Sequence, residues 1–161
     1  MYESVGRTFW ENLRTRGDAI ALWMTDDDGD GIPDTLSSSR LQGLAAQVAV
    51  GLTEAELGPG DRILLHGPLC ADTLVLSLAA WMLGAVTVHA DPEMPEEMLG
   101  DALGRVKASW IVVPHPKALA GLELASGDAL SAAQVIVLSG APAPPVPRIT
   151  SFAQIKELGR K

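Results

Sequence analysis

The chain predicts an α/β fold: an open, mostly parallel sheet of βαβ units with helices on both faces, preceded by an N-terminal β-hairpin. Three observations predict it. Apolar runs of strand length occur at Arg62–His66, Val86–Ala90, Trp110–Val113 and 134–138. Helix-length patterns separate them, over 72–83, 95–106 and 115–122, and this alternation implies crossover connections and parallel pairing. The runs are apolar at successive positions, so both sheet faces need a helical cover.

Each element has a local reason. Thr8 can cap a first helix over 8–16, with Glu11 three residues on and Phe9, Trp10 and Leu13 on one side. Residues 19–24 form a strand-length apolar run. The Asp- and Gly-rich stretch from Asp26 to Pro33 is turn chemistry, and a return strand near Thr35 and Leu36 completes a hairpin with a long tip. Ser37, Ser38 and Ser39 offer caps for a second helix, in which Leu41, Leu44, Ala45, Val48 and Leu52 recur at helical spacing. The helix over 72–83 is apolar nearly all round. The helix over 95–106 is amphipathic, with Met98, Leu99, Ala102, Leu103 and Val106 on one side. Pro114 ends the third strand. The run from Gly140 to Pro147 is rich in Ala and Pro, poor in backbone donors and therefore extended. Ser151 caps a last short helix with Phe152, Ile155 and Leu158 as its apolar positions. The expected organisation is an α/β lobe over 1–139, a Pro-rich linker over 140–150 and a C-terminal helix over 151–161.

Bulk chemistry narrows the function. The 161 residues are 47% hydrophobic and carry a net charge of -8. An acidic surface repels nucleic acid and anionic membrane alike, so neither is an expected partner. The most apolar stretch, 74–88, is broken by Gly84 and falls short of the roughly 20 residues a bilayer span takes. The single cysteine, Cys70, permits no intramolecular disulfide, and the first residues lack the order of a secretion signal. The expected location is the cytoplasm.

Four constellations could carry chemistry. Asp26, Asp28, Asp30 and Asp34, with glycines between them, resemble the start of a calcium loop, where a hard cation gathers several oxygens. The twelfth position holds Ser37 where such a loop has a bidentate Glu, and a solvated hairpin tip accounts for the same residues. His66, Cys70 and Asp72 lie close in sequence, as a nucleophile and its base would, but a small buried thiol beside a strand end explains Cys70 as well. His66, His89 and His115 all lie near strand ends, where a metal or simple polar capping would each use them. Trp10, Trp23, Trp81 and Trp110 sit in apolar contexts without interleaved basic residues, which points to core or subunit packing rather than base stacking. Neither G-x-G-x-x-G nor G-x-x-x-x-G-K-[ST] occurs.

Two short motifs frame the first strand units: Gly58-Pro59-Gly60-Asp61-Arg62 ahead of the first strand and Gly84-Ala85-Val86 at the second. With Thr8 to Leu13, Asp18 to Ala21, the helix through Val48-Ala49-Val50-Gly51-Leu52, and Ser151-Phe152 to Gly159-Arg160, they resemble the N-terminal part of the large domain of adenylate-forming (AMP-binding) enzymes. The look is closest to long-chain acyl-CoA synthetases. The resemblance covers residues 5–158. Within it, His66-Gly67-Pro68-Leu69-Cys70 stands where the family often has Asn or Ser, and Met94-Pro95 stands for small polar residues.

The resemblance implies an ATP-dependent ligase, yet it assigns no catalytic and no cofactor-binding residue here. The family's phosphate loop, Ser/Thr/Gly-rich and ending in Pro-Lys-Gly, has no counterpart, and Lys107, Lys117, Lys156 and Lys161 sit in no such loop. The expected role is an N-terminal lobe of an AMP-dependent synthetase, not catalytic alone. It takes no cofactor by itself, and ATP with Mg and CoA enter only when a catalytic half completes it. The alternative is a non-enzymatic binding, scaffold or regulatory module derived from that family. Either role predicts a protein partner or a homo-oligomer, because an isolated lobe leaves apolar surface uncovered. The physical roles expected of the motifs are structural: Gly58 and Gly60 for a tight turn, and Asp61 as an acceptor for turn amides.

Overall fold

A computed structural model describes residues 5–24, 34–126, 130, 132–138 and 148–160. The elements run α1 (Val5–Arg16), β1 (Ile20–Met24), β2 (Asp34–Ser37), α2 (Ser38–Glu54), β3 (Arg62–His66), α3 (Ala71–Met82), β4 (Val86–Ala90), α4 (Glu96–Val106), β5 (Trp110–Val113), α5 (Pro116–Ser126), β6 (Gln134–Val137), β7 (Ile149–Ser151) and α6 (Phe152–Leu158). β1 and β2 pair antiparallel as the expected hairpin, with a register shift between Ile20 and Leu22. The other five strands form one parallel sheet in the order β4-β3-β5-β6-β7. The predicted fold class therefore holds.

Alternation along the strands divides the core in two. Ile63 and Leu65 of β3, Trp110 and Val112 of β5 and Ile136 of β6 pack with residues of α1, α2, α3 and α6. Leu64, Ile111, Val113, Val135 and Val137 face the other way, onto α4 and α5. A strand buried on both faces has no solvent side to keep polar, which is why β3 reads as Ile-Leu-Leu without interruption.

The two glycine motifs meet in space. Gly60 has φ +86° and Gly84 φ +75°, both in the left-handed region. The Gly60 N–H donates to the Gly84 carbonyl at 3.0 Å, and a Cβ on Gly84 would sit 3.5 Å from Pro59. Asp61 accepts from the Gly58 N–H at 2.8 Å, as expected, and also from the Ser109 hydroxyl at 2.8 Å. Arg62 donates from Nη1 to the Val106 carbonyl at 2.7 Å, closing the C-terminus of α4. These residues tie together the amino ends of β3, β4 and β5.

At the end of α4, Lys107 is held at φ 51°. A non-glycine residue there is strained by about 1 kcal/mol. Lys107→Gly is expected to raise stability by about that amount, read as a higher midpoint in urea.

Three boundaries differ from expectation. α1 starts at Val5, so Thr8 is inside the helix and its carbonyl accepts from Asn12 Nδ2 at 3.0 Å rather than Thr8 serving as a cap. The first turn is held instead by packing, since Gly6 lies so close to Trp81 that a Cβ would come within 2.8 Å of the Trp81 Cβ. α5 runs from Pro116 to Ser126, four residues past the expected end at Leu122. Ile149–Ser151, expected as the end of the linker and the cap, forms β7 and pairs with β6. Three residues are too few for a periodic signal. Residues 140–147 of the expected linker lie outside the described residues.

Candidate functional site at the carboxyl ends of the sheet

The strand order defines where a ligand would sit. β3 connects through α3 to β4 on one side, while β5 lies on its other side, so the connections diverge between the carboxyl ends of β3 and β5. In open α/β sheets that crevice is the usual binding place. The loop after β3 packs on its neighbours there: a Cβ on Gly67 would sit 3.4 Å from Leu138 Cδ1 and 3.9 Å from Pro114 Cβ. His66 is buried at the strand end, while Leu69 is 87% exposed at the tip of the loop.

The residues singled out in the sequence are distributed around this end rather than gathered. Cys70 is exposed and caps α3. Its N–H donates to Thr73 Oγ1 at 3.0 Å, and Thr73 Oγ1 in turn lies 3.0 Å from the Pro68 carbonyl, so the β3–α3 turn is closed on itself. His89 Nε2 lies 3.3 Å from Ser77 Oγ on α3. His115 caps α5, with Nδ1 accepting the Ala118 N–H at 3.1 Å. Among the described residues no group of three His, Cys, Asp or Glu side chains is placed to hold a metal. Asp26, Asp28 and Asp30 lie outside the described residues. Asp34 is described as the first residue of β2, opposite Met24.

At this end the structure also brings together two charged residues that lie far apart in the sequence. Asp72, in the first turn of α3, lies 4.0 Å from Lys156 Nζ of α6, and both are partly exposed. Lys156 also stands 4.5 Å over the Phe152 ring. Partial burial raises the Asp72 pKa above the ordinary carboxylate value, and Lys156 offsets some of that rise. An acid whose pKa is raised by folding favours the folded state most below its unfolded pKa, and the contribution is lost as pH rises through the folded value. Asp72→Asn is therefore expected to flatten this segment of the stability-versus-pH curve in the acid range. Lys156→Met is expected to raise the Asp72 pKa further, followed by carboxyl carbon NMR.

Of the four helix N-termini at this end, three use side chains locally, while α4, entered through Pro95, has no side-chain cap. Cys70 and Thr73 close α3, His115 closes α5, and Ser151 with Gln154 closes α6, where the Gln154 N–H donates to Ser151 Oγ at 3.1 Å and the Ser151 N–H to Gln154 Oε1 at 2.7 Å. Pro68, Pro114 and Pro116 remove further amides from the loops after β3 and β5. An anion cradle is built from free amides and glycines, and these loops spend theirs locally.

The Asp72–Lys156 and Ser77–His89 contacts were not foreseen. Ser77 inside an otherwise apolar helix was the available signal, because a buried hydroxyl requires a partner; Ser77 also donates to the Thr73 carbonyl at 2.9 Å.

The fold and its carboxyl-end crevice define a doubly wound α/β lobe. The profile of the family described as AMP-binding enzyme matches residues 9–157, and the chain belongs to that family. A curated relative, the 2-hydroxy-7-methoxy-5-methyl-1-naphthoate–CoA ligase of Streptomyces carzinostaticus, is 30% identical over 111 residues, which is 69% of this chain and 19% of that protein. Among solved structures, the luciferase-like enzyme of the Zophobas morio mealworm superposes with a TM-score of 0.78 at 21% identity, over 96% of this chain and 34% of that one. The acetoacetyl-CoA synthetase of Streptomyces lividans superposes with a TM-score of 0.79 at 19% identity, over 94% and 24%. The chain thus spans about a fifth of the curated relative and at most about a third of these two structures.

With the family shown, the two glycine motifs that carry the resemblance prove to sit at the amino end of the sheet, away from the crevice. They hold the scaffold. No helix of the described residues is long and apolar enough to cross a membrane.

Proposed function

We propose that this chain is the N-terminal lobe of an acyl- or aryl-CoA ligase of the AMP-binding family, and that it does not activate a carboxylate unaided. ATP, Mg and CoA are bound by a catalytic portion, supplied by the same polypeptide or by a partner subunit, and this lobe provides the rigid sheet against which that portion closes. The observation that carries the reading is the lack of Pro-Lys-Gly in the sequence, together with the local use of loop and helix amides at the N-termini of α3, α5 and α6. The relatives cited above are CoA ligases or a luciferase-like enzyme of about three or more times the matched length. A reducing cytoplasm suits the exposed, unpaired thiol of Cys70.

The test is a pull-down with the tagged 161-residue chain from an extract of its source cells, then an ATP–pyrophosphate exchange assay on what co-purifies. Exchange that appears only in the co-purified material, with a panel of aliphatic and aromatic acids, supports the reading. A co-purifying partner without exchange supports the scaffold alternative instead.

A further inference from the structure

The outer edge of β4 is an unguarded pairing surface of the five-stranded sheet. The Val86 N–H donates to the Asp61 carbonyl at 2.8 Å, which turns the backbone of Val86, and by alternation that of Val88 and Ala90, toward β3. The N–H and C=O groups of Thr87 and His89 therefore point outward, and among the described residues no strand pairs with them. Natural edges are blunted by Pro, Lys, a bulge or a very short strand. β4 has none of these: it is Val-Thr-Val-His-Ala, five residues in unbroken register with β3. The opposite edge, β7, is only three residues long. Apolar surface flanks the β4 edge, with Val86 49% and Met82 43% exposed.

We infer that β4 pairs antiparallel with β4 of a second copy of this chain, making one continuous sheet through a two-fold axis at Val88. The register is self-complementary. Centring on Val88 sets Thr87 opposite His89 of the second copy, and those are the residues whose backbone groups face out, so each such pair exchanges both hydrogen bonds. Val88 then meets Val88 of the second copy at the non-hydrogen-bonded position, where side chains approach most closely. Val86 falls opposite Ala90. No carboxylate, lysine or arginine lies on the strand, so no like charges oppose one another. On the α3 face, Trp81 Nε1 donates to Thr87 Oγ1 at 2.9 Å and Ser77 contacts His89, so the side chains next to the axis are already held by α3. A closed two-fold pairing of this kind is the commonest form of self-association. The inference does not depend on the ligase reading, because it concerns the edge opposite the β5–β6–β7 half of the sheet.

Sedimentation equilibrium of the 161-residue chain over a wide concentration range tests it. The expected particle has twice the chain mass. His89→Pro removes an outward donor without touching the β3 ladder, and Val86→Lys puts a charge on the edge; each is expected to weaken dimerisation by about tenfold or more while circular dichroism stays unchanged. In a Cys70→Ser background, Val88→Cys is expected to cross-link to a dimer under mild oxidation, whereas Val86→Cys, which lies off the axis, is not. If His89→Pro fails to fold, Val86→Lys and the cross-linking pair still decide the matter. A monomeric wild-type chain, or a dimer that both charged and folded proline variants retain, overturns the inference. So does cross-linking at residue 86 in preference to residue 88.

Discussion

Replacing Gly51 with alanine is expected to destabilise the fold by about 3 kcal/mol, although it exchanges a helix-interior glycine for the best helix former. The reason is tertiary. α2 and α6 approach so closely that a Cβ at Gly51 would overlap the Ile155 carbonyl oxygen and come within 2.9 Å of the carbonyl carbon. The obstacle is backbone, so no rotamer change relieves it. Gly159 makes the reciprocal contact, a Cβ there overlapping the Gln47 carbonyl oxygen, and Gln47 Nε2 donates to the Lys156 carbonyl at 2.6 Å across the same seam. For α6 to move away it must withdraw Phe152 and Ile155, which are 1% and 0% exposed. Gly43 is the control. It lies in the same helix with nothing within 4 Å of an added Cβ. Gly43→Ala is expected to stabilise by about 0.7 kcal/mol through helix propensity alone. Opposite signs for the two substitutions in urea titrations support the close α2–α6 seam. Equal, small effects would mean that α6 does not dock as described.

Asp61→Ala is expected to cost about 2 kcal/mol, the second largest effect. The carboxylate accepts from the Gly58 amide and from the Ser109 hydroxyl, so a single residue joins the turn into β3 to the turn into β5. Removing it leaves a partly buried amide and a hydroxyl without their acceptor, and hydrogen bonds to a charged group are stronger than neutral ones. Asp61→Asn keeps one acceptor oxygen and is expected to lose about half as much. Ser109→Ala should cost less in the Asp61→Ala background than in the wild type, since the bond between the two side chains is already gone. The 3.3 Å acceptance of the Arg62 N–H by Ser109 Oγ is still there to lose. Full additivity in that double-mutant cycle would show that the Asp61–Ser109 bond contributes nothing to stability.

Asp61 also marks how far the sequence could be read. Its neighbours Gly58 and Gly60 announce a turn, and an Asp beside turn glycines has a short list of acceptor roles, so the bond to the Gly58 amide was legible. Ser109 lies 48 residues away and no local rule links it to Asp61. The same division runs through the chain. β3 and β5 were legible because a strand apolar on both faces leaves an unbroken run bounded by Gly or Pro, and β4 because its Val-Thr-Val run follows the turn at Gly84. β7 was not, because three residues flanked by a Pro-rich run and a cap carry no period. Of the candidate site, the strand ends and their histidines were placed correctly along the chain. What those histidines do was not legible: His115 caps α5 and His89 meets Ser77, and each role depends on which helix the crossover lays beside it. The Asp72–Lys156 pair joins α3 to α6 across about half of the chain's length, which only the packed fold reveals.

The proposed function requires that the described carboxyl end of this sheet bind no nucleotide by itself. Isothermal titration of Mg·ATP into the 161-residue chain tests it most directly. No saturable heat and no change in intrinsic tryptophan fluorescence are expected up to millimolar nucleotide. A stoichiometric isotherm, abolished by substitutions at His66, Gly67 or His115 in the β3–β5 crevice, would contradict it.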